Sequence, residues 1–229
     1  MLQLNRGREL TLLSLNIYRS SNIGIFLKCN EKFILVPHGL AESKVSKLSE
    51  NLIVEPITTS IGGSRLLGPL IAMNNKGILV SRLAEDTEIR HLKELTGLPV
   101  EKIQSKFTSI GNLISTNDNG IIASNLLQEV KQTIIDVLDA PIEFLRISTF
   151  NQVGALLVSN NSGGAIYPNA NDNEISIAKS VLKVEVEPAT VNCGVPFVSS
   201  GIVVSDRRAV VGFLTSGPEM IILSNVFKL

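Results

Sequence analysis

A short pattern recurs along this chain at a nearly constant interval, and this repetition constrains the fold more than any other feature of the sequence. A glycine is followed six residues later by an asparagine at Gly24 and Asn30, Gly68 and Asn74, Gly111 and Asn117, and Gly154 and Asn160. These glycines are 44, 43 and 43 residues apart, and an altered fifth copy has Ser199 in the glycine position 45 residues further on. Such a period predicts one supersecondary unit copied in tandem, because each copy is too small to bury its own apolar face.

The centre of each copy predicts a β-hairpin. In the second copy, the apolar runs 68–73 and 77–81 flank a turn with the sequence Asn-Asn-Lys-Gly. Asn and Gly tolerate the positive φ that tight hairpin turns require. Residues 159–164, SNNSGG, are therefore interpreted as the longer turn of the fourth copy and not as a phosphate-binding loop. The pair Arg207-Arg208 is interpreted as the exposed tip of the fifth turn.

An amphipathic stretch after each hairpin predicts a helix. In the second copy, apolar residues have helical spacing from Ile89 to Leu95, and Asp86 or Thr87 is the expected N-cap. The fifth helix is expected to start at residues 216–218, where a proline suits the first turn. A further extended run follows the first four helices, so the predicted unit is strand, strand, helix, strand.

The fifth copy ends with its helix and has no closing strand of its own. Residues 12–24 align without gaps with 99–111 and 142–154, which contain the last strand of the second and third copies. We therefore expect residues 12–18 to complete the fifth unit, because closing the ring removes exposed sheet edges. The predicted fold is an α/β, five-fold pseudosymmetric propeller of the pentein type.

This interpretation gives one folded domain over residues 12–229. The expected repeats are about 22–65, 66–108, 109–151, 152–196, and 197–229 with strand 12–18. Residues 1–11 lie outside the pattern and are predicted to be a flexible N-terminal extension. Two local departures are expected to disturb the pattern. Pro69 predicts an edge or bulged strand, and Ser199 cannot match the other copies if the glycines adopt positive φ.

Composition argues against several function classes. The chain has 21 basic and 21 acidic residues, so it lacks the positive surplus of a protein that binds mainly to RNA phosphates. No stretch approaches the roughly 18 apolar residues of a membrane span. Two cysteines and two histidines are too few and too scattered for a metal site or a disulfide framework. We expect no cofactor, no bound metal and a reducing, cytoplasmic compartment.

The predicted fold keeps one enzymatic alternative open, since pentein proteins include hydrolases and transferases that modify guanidines. Those enzymes use a cysteine nucleophile, a histidine and carboxylates, and Cys193 with His38 or His91 could be fitted to that scheme. Each residue also has a simpler explanation as part of a link, a loop or a polar helix face. Because fold analogy alone is weak evidence of function, we expect a binding protein and not an enzyme.

Several segments resemble one family in order and in spacing. They are SIGGSRLLG (60–68), SIGN (109–112), VSNNSGGAIYP (158–168), ATVNCG (189–194), GIVVSD (201–206) and VFKL (226–229). Together they resemble the translation initiation factor 6 family, the ribosome anti-association factors of archaea and eukaryotes. The resemblance covers about residues 13–229. The sequence stops at VFKL without the charged, Ser/Thr-rich tail of the animal members, and so resembles the archaeal type.

The resemblance implies a monomer that binds the intersubunit face of the large ribosomal subunit. There it would contact a ribosomal protein near the sarcin–ricin loop, block the small subunit sterically and take part in large-subunit maturation. It also implies release by a Shwachman–Bodian–Diamond-type protein with a GTPase. An assembly scaffold that leaves subunit joining intact is the remaining alternative.

The candidate ribosome-binding residues lie where one repeat passes to the next and at the C-terminus. They are Arg65, Gly111, Asn112, Asn151, Asn192, Val226, Lys228 and Leu229. A structural role is an equal alternative for Asn112 and Asn192, which could bridge the backbone between repeats. The repeated glycines are expected to serve turns or close approach of the backbone. Phe227 is expected to pack inward.

Overall fold

The structure is a computed structural model that describes residues 11–229. In that range the chain forms five three-stranded sheets arranged as blades around one axis. The strands are β2 (Lys28–Cys29), β3 (Phe33–Pro37) and β4 (Glu55–Thr59) in blade 1; β5 (Ile71–Met73), β6 (Ile78–Val80) and β7 (Val100–Lys102) in blade 2; β8 (Ile114–Thr116), β9 (Ile121–Ser124) and β10 (Ile142–Leu145) in blade 3; β11 (Leu157–Ser159), β12 (Gly164–Ile166) and β13 (Val186–Pro188) in blade 4; and β14 (Ile202–Val204), β15 (Ala209–Gly212) and β1 (Leu12–Leu15) in blade 5.

Each blade carries one outer helix between its second and third strands, except that in blade 5 the helix ends the chain. These helices are α1 (Glu42–Leu52), α3 (Asp86–Thr96), α4 (Lys131–Leu138), α6 (Asp172–Leu182) and α8 (Gly217–Phe227). Single helical turns precede the first strands: α2 (Leu67–Leu70), α5 (Val153–Leu156), α7 (Val198–Gly201) and the 3-10 turns Ile23–Ile25 and Ile110–Asn112; a further 3-10 segment, Asn125–Val130, leads into α4. The predicted unit of strand, strand, helix and strand is confirmed.

The middle strand of every blade pairs antiparallel with the first strand and parallel with the third. In blade 5 the third strand is β1, which pairs with β15 from Leu12 opposite Ala209 to Leu15 opposite Gly212. The N-terminal strand therefore closes the ring as the alignment predicted. The α/β pentein architecture with five-fold pseudosymmetry is confirmed, while the predicted extension lies almost wholly outside the described residues.

The repeated asparagines join neighbouring blades at the hairpin turns. Asn117 is 3% exposed, and its carboxamide oxygen accepts hydrogen bonds from the backbone N–H groups of Asn119 and Gly120 at 3.0 Å each. Its nitrogen donates to the carbonyl oxygens of Asn160 at 3.0 Å and Leu182 at 2.8 Å. One side chain therefore closes its own turn and binds both the next hairpin and the end of α6.

The repeated glycines lie where the five repeats meet at the axis. A Cβ on Gly68 would lie 1.9 Å from the carbonyl oxygen of Gly24, and one on Gly111 would lie 2.1 Å from that of Gly68. Close approach of the backbone, and not positive φ, therefore requires glycine here. Ser199 lies within the helical turn α7, and the repeated glycines do not have positive φ, so the condition for the expected mismatch of the fifth copy is not met.

Two other local expectations are corrected. Pro69 lies in α2 and not in a strand; the first turn of a helix leaves its N–H groups without intrahelical partners, so proline is tolerated there. The N-cap of α3 is Glu85 and not Asp86 or Thr87, because the Glu88 carboxylate accepts the Glu85 backbone N–H at 2.8 Å in a capping box.

Aliphatic side chains fill the space between each sheet and its helix, in five clusters around the ring in the described chain. Phe227 is completely buried in the cluster beneath α8, as expected. The ring closure and these packed interfaces hold the surface loops of all five repeats in fixed positions.

Candidate functional site

The two ends of the ring carry different kinds of loops. At one end, the C-termini of the outer helices pack on the hairpin turns; a Cβ on Gly163 would lie 1.8 Å from the Val226 carbonyl oxygen. We call this the hairpin end. At the opposite end, the helix N-termini meet the loops that join one repeat to the next, around residues 16–24, 60–68, 103–111, 146–154 and 190–199. We call these the inter-repeat loops and this end the inter-repeat end.

At the inter-repeat end, glutamates from helix N-termini bind the loops that precede them. Glu219 of α8 accepts backbone N–H groups from Cys193 at 3.0 Å and Gly194 at 2.8 Å, and the Thr190 hydroxyl at 2.7 Å. Burial alone would raise the pKa of Glu219, but the hydrogen bonds from Ser216, Thr190 and Gly194 lower this pKa to about 2. The carboxylate is therefore ionised, and it holds blade 5 to the end of blade 4.

Glu88 of α3 makes the same arrangement with the second loop. It accepts N–H groups from Gly62 at 2.7 Å and Gly63 at 3.2 Å. The Ser60 hydroxyl donates to it at 2.6 Å. Burial raises the pKa of Glu88, but these bonds and that from Glu85 outweigh it and leave the pKa below its ordinary value. In blade 4, Glu174 accepts the Ser148 N–H at 2.8 Å.

Five predicted binding residues lie at the inter-repeat end. Arg65 is exposed, and its guanidinium lies 5.6 Å from the centre of the Tyr18 ring. Gly111 is buried against Gly68 at the axis. Asn112 and Asn151 are half-buried, and Asn112 lines the axial cavity.

Asn192 closes the junction between the first and last repeats. It is 7% exposed, and its side-chain nitrogen donates to the Ser21 carbonyl oxygen at 2.9 Å. The Thr215 hydroxyl donates to the Asn192 side-chain oxygen at 3.3 Å. The structural alternative accounts for these contacts.

The three C-terminal predicted residues lie at the opposite, hairpin end. Val226 is 3% exposed and packs in the core, whereas Lys228 is exposed and Leu229 is half-buried. Lys228 ends α8 in the left-handed conformation, with φ of 55°. The structure therefore divides the predicted residues between two ends of the ring and does not bring them together in one site.

Helix α8, which connects these two ends, has apolar residues on its outer face as well as its inner face. Ile221 is 65% exposed and Ile222 is 41% exposed. In α3 the same positions relative to the N-terminal glutamate are Arg90 and His91. A helix that is apolar all round is normally covered on all sides.

The loop before α8 carries two more exposed apolar side chains. Phe213 is 62% exposed and Leu214 is 57% exposed. With Ile221 and Ile222 they form what we call the α8 patch. Four large exposed apolar side chains within residues 213–222 favour a protein–protein interface.

A ring of polar side chains closes the axis at the hairpin end. Each member accepts the backbone N–H of the member before it, in the order Glu31, Asn75, Asp118, Asn161, Asp206 and back to Glu31. Burial, and then the negative charge of Asp206, raise the pKa of Glu31 to about 7. The ring holds blades together, and Glu31 gives it a pH dependence.

Between the two ends lies an axial cavity of about 270 Å³. It is lined by aliphatic side chains together with Lys28, Cys29 and Ser115. Burial lowers the pKa of Lys28 to about 8 and raises that of the Cys29 thiol. The thiol is therefore protonated at neutral pH and is not an activated nucleophile.

The residues of the hydrolase alternative lie apart from this cavity. The Cys193 thiol donates to the Leu214 carbonyl oxygen at 3.0 Å, and His91 pairs with the Thr58 carbonyl oxygen at 3.1 Å. Neither residue lines the axial cavity, nor does His38. Within residues 11–229 no cluster of side chains has the composition of a metal site, and no helix is long and apolar enough to cross a membrane.

Sequence comparison decides the family. The model of the eIF-6 family matches residues 12–226. The chain belongs to this family. It is 40% identical over 217 residues to translation initiation factor 6 of Nitrosopumilus maritimus, covering 94% of this chain and 98% of that protein. It is 36% identical to translation initiation factor 6 of Methanocaldococcus jannaschii, with 90% and 93% covered. Membership predicted from the motifs is confirmed, and the family is one of translation factors.

Solved structures with a similar chain path include the agmatine deiminase of C. jejuni. It has a TM-score of 0.46 and 12% sequence identity, covering 85% of this chain and 72% of that one. The N-terminal domain of ArgZ has a TM-score of 0.45 and 15% identity, covering 72% and 68%.

Sequence reasoning missed two features of this eIF-6 family member. The outward Ile221-Ile222 pair could have been found by aligning α8 with α3 at their N-terminal glutamates. The loop-binding glutamates could have been found from their spacing, because Gly62 and Glu88 are 26 residues apart, as are Cys193 and Glu219.

Proposed function

We propose that this chain binds the large ribosomal subunit on its intersubunit face and sterically prevents joining with the small subunit. The main support is the α8 patch, a group of four exposed apolar side chains on blade 5. Membership of the eIF-6 family and relatives named translation initiation factor 6 agree with a binding role in translation.

The α8 patch supports a protein contact on the subunit. Burying exposed apolar area contributes about 25 cal/mol per Å², and binding energy concentrates in a few desolvated side chains. Phe213 and Ile221 are the most exposed members of the patch. Lys228 at the end of α8 lies beyond them and supplies a charge at the hairpin end. We propose a ribosomal protein of the intersubunit face, near the sarcin–ricin loop, as the partner.

The closed ring suits a steric block. Occlusion depends on volume and stiffness and needs no reactive group. Each blade is held to the next by the glycine contacts, the hairpin asparagines and the polar ring at the axis. Such a block must be removed before translation. We propose release by a protein of the Shwachman–Bodian–Diamond type with a GTPase, in the cytoplasm.

The test is sedimentation of the purified chain with separated ribosomal subunits, comparing the wild type with Ile221→Arg. Arginine is the residue of α3 at this position, so the fold accommodates it. The control is Leu95→Arg, which places the same side chain on a 50% exposed apolar position of α3. We expect comigration of the wild type and the control with large subunits only, and at least about tenfold weaker binding of Ile221→Arg.

Comigration of both variants with unchanged affinity would contradict the role of the α8 patch. Failure of the wild type to comigrate would contradict large-subunit binding itself. Comigration that leaves subunit joining intact would favour the assembly scaffold.

A further inference from the structure

Four inter-repeat loops are closed by a short antiparallel bridge, and the first of these four lacks the bound carboxylate of the other three. In the second, fourth and fifth loops, backbone N–H groups donate to a glutamate 26 residues further along the chain, at Gly62 and Glu88, Ser148 and Glu174, and Cys193 and Glu219. These three loops therefore each hold an anion. The corresponding loop before blade 1 contains Tyr18 and Arg19.

The backbone of this first loop has the conformation of the second loop, which holds Glu88. Tyr18 and Arg19 have φ of 49° and 63°, and Gly62 and Gly63, whose N–H groups donate to Glu88, have φ of 59° and 71°. The first loop is closed by hydrogen bonds between Ile17 and Ser20, at 3.0 and 2.8 Å. Consecutive backbone N–H groups in such a loop form an anion-binding concavity, called a nest.

The N–H groups of Tyr18 and Arg19 have no acceptor among residues 11–229. The residue 26 positions after Tyr18 is Lys44, in the third position of α1, where α3, α6 and α8 have glutamate and α4 has threonine. Its ammonium group donates to the carbonyl oxygen of Asn16. Asn16 lies 28 residues before Lys44, as Ser60 lies 28 residues before Glu88. In that second loop the Ser60 hydroxyl donates to the Glu88 carboxylate. A cation therefore takes the place of the anion found in the second, fourth and fifth loops.

Further positive charge surrounds this loop. Arg19 is exposed, and the Arg65 guanidinium lies against the Tyr18 ring. The Tyr18 hydroxyl donates to the His38 carbonyl oxygen at 3.1 Å. Neither arginine, nor Lys44, makes an ion pair within the described part of the chain. Glu42 is the acidic residue of the first turn of α1, and it too makes no ion pair there. In a chain with zero net charge, this is a local positive surplus.

We propose that the nest of Tyr18 and Arg19, with Lys44 and Arg65, binds a phosphate group of ribosomal RNA on the large subunit. This inference rests on the proposed function and names a second partner for it. Three cations and two free N–H groups fit a phosphate, which offers several oxygen acceptors and is densely repeated along RNA. The second loop, where Gly62 and Gly63 bind Glu88, shows that this backbone conformation holds a carboxylate.

The test replaces Lys44 with glutamate, the residue that α3, α6 and α8 have at this position. Lys44→Glu should place a carboxylate on the Tyr18 and Arg19 N–H groups, as Glu219 does in blade 5, and so occupy the nest from within the chain. Lys47→Glu is the matched control, because it makes the same charge change at an exposed position of the same helix. Binding to purified large subunits is measured for both variants and the wild type over a range of salt concentrations.

We expect Lys44→Glu to bind about ten- to a hundredfold more weakly than Lys47→Glu, since charge-assisted hydrogen bonds are removed. The slope of log affinity against log salt should fall by about 0.7–0.9 for each phosphate that the protein no longer neutralises. Lys44→Glu should fold with at least wild-type thermal stability, because a carboxylate is favourable at a helix N-terminus. Equal affinity and equal slope in the two variants would overturn the proposal. A loss of affinity without a change of slope would overturn the assignment to RNA.

A second measurement separates this proposal from the proposed function. Inorganic phosphate is titrated into the free protein while the backbone amide resonances of Tyr18 and Arg19 are followed by NMR. We expect saturable shifts in the wild type and in Lys47→Glu and none in Lys44→Glu. Such shifts would support the anion site even if the wild type fails to bind large subunits. Their absence in the wild type would overturn it.

Discussion

Asn117 offers the most direct test of how the blades are joined. Its buried carboxamide makes four hydrogen bonds, to the backbone of Asn119, Gly120, Asn160 and Leu182. Asn117→Ala removes all four and leaves carbonyl oxygens of two neighbouring segments without this donor. At about 0.5–1.5 kcal/mol for each bond, the expected loss is about 4 kcal/mol of unfolding free energy.

Chemical unfolding followed by circular dichroism measures this loss, and thermal unfolding gives a second estimate. For a domain of this size, about 4 kcal/mol corresponds to a fall in Tm of about 8–16 °C. The matched control is Asn119→Ala in the same turn, because the Asn119 side chain has no hydrogen-bond partner within residues 11–229. We expect this control within about 0.5 kcal/mol of the wild type. A loss below about 1 kcal/mol for Asn117→Ala would refute the role given to the hairpin asparagines.

Two further substitutions test the axis. The pKa of Glu31 is raised to about 7 in the folded chain from an ordinary 4.5, so the wild type should lose stability as pH rises through this interval. Glu31→Gln should remove this loss and should be more stable than the wild type by about 1–2 kcal/mol at pH 8, a value reduced to allow for the partial exposure of the carboxyl. Near pH 4 the two proteins should differ little in stability. Equal curves of unfolding free energy against pH from 4 to 8 would contradict this prediction. Gly68→Ala should destabilise by about 3 kcal/mol or prevent folding, since its Cβ would lie 1.9 Å from a Gly24 backbone oxygen. Gly217→Ala, where a Cβ meets nothing within 4 Å, should be neutral or slightly stabilising in the same unfolding assay, and equal effects of the two alanines would argue against the close contact at the axis.

The architecture was predictable because the repeat constrains it several times over. Four copies of the Asn-containing turn predict the same hairpin, and the alignment of residues 12–24 with two internal segments predicts the closing strand β1. The positions of local elements were less predictable. The apolar run 68–73 predicts a strand that includes Pro69, whereas in the structure Pro69 lies in the helical turn α2 and Gly68 packs against Gly24 at the axis.

The candidate site was only partly predictable. Family motifs identify segments of the sequence but do not distinguish surface residues from buried ones. The predicted binding residues therefore include buried Gly111 and Val226 together with exposed Arg65 and Lys228. Burial depends on packing between blades that are distant in sequence. Comparison of the repeats with one another would have been more informative. It shows that α1 has Lys44 where α3, α6 and α8 have a loop-binding glutamate, a difference that can be read within one sequence from the spacing of 26 residues.

The most direct measurement of the central claim is the rate and extent of subunit joining, followed by light scattering after small subunits are mixed with large subunits that carry this protein. We predict that joining falls in proportion to added protein and is abolished at about one protein per large subunit. If the addition of excess small subunits were enough to restore joining, the protein would not be a tight steric block. Undiminished joining, while sedimentation shows the protein still bound, would contradict the claim.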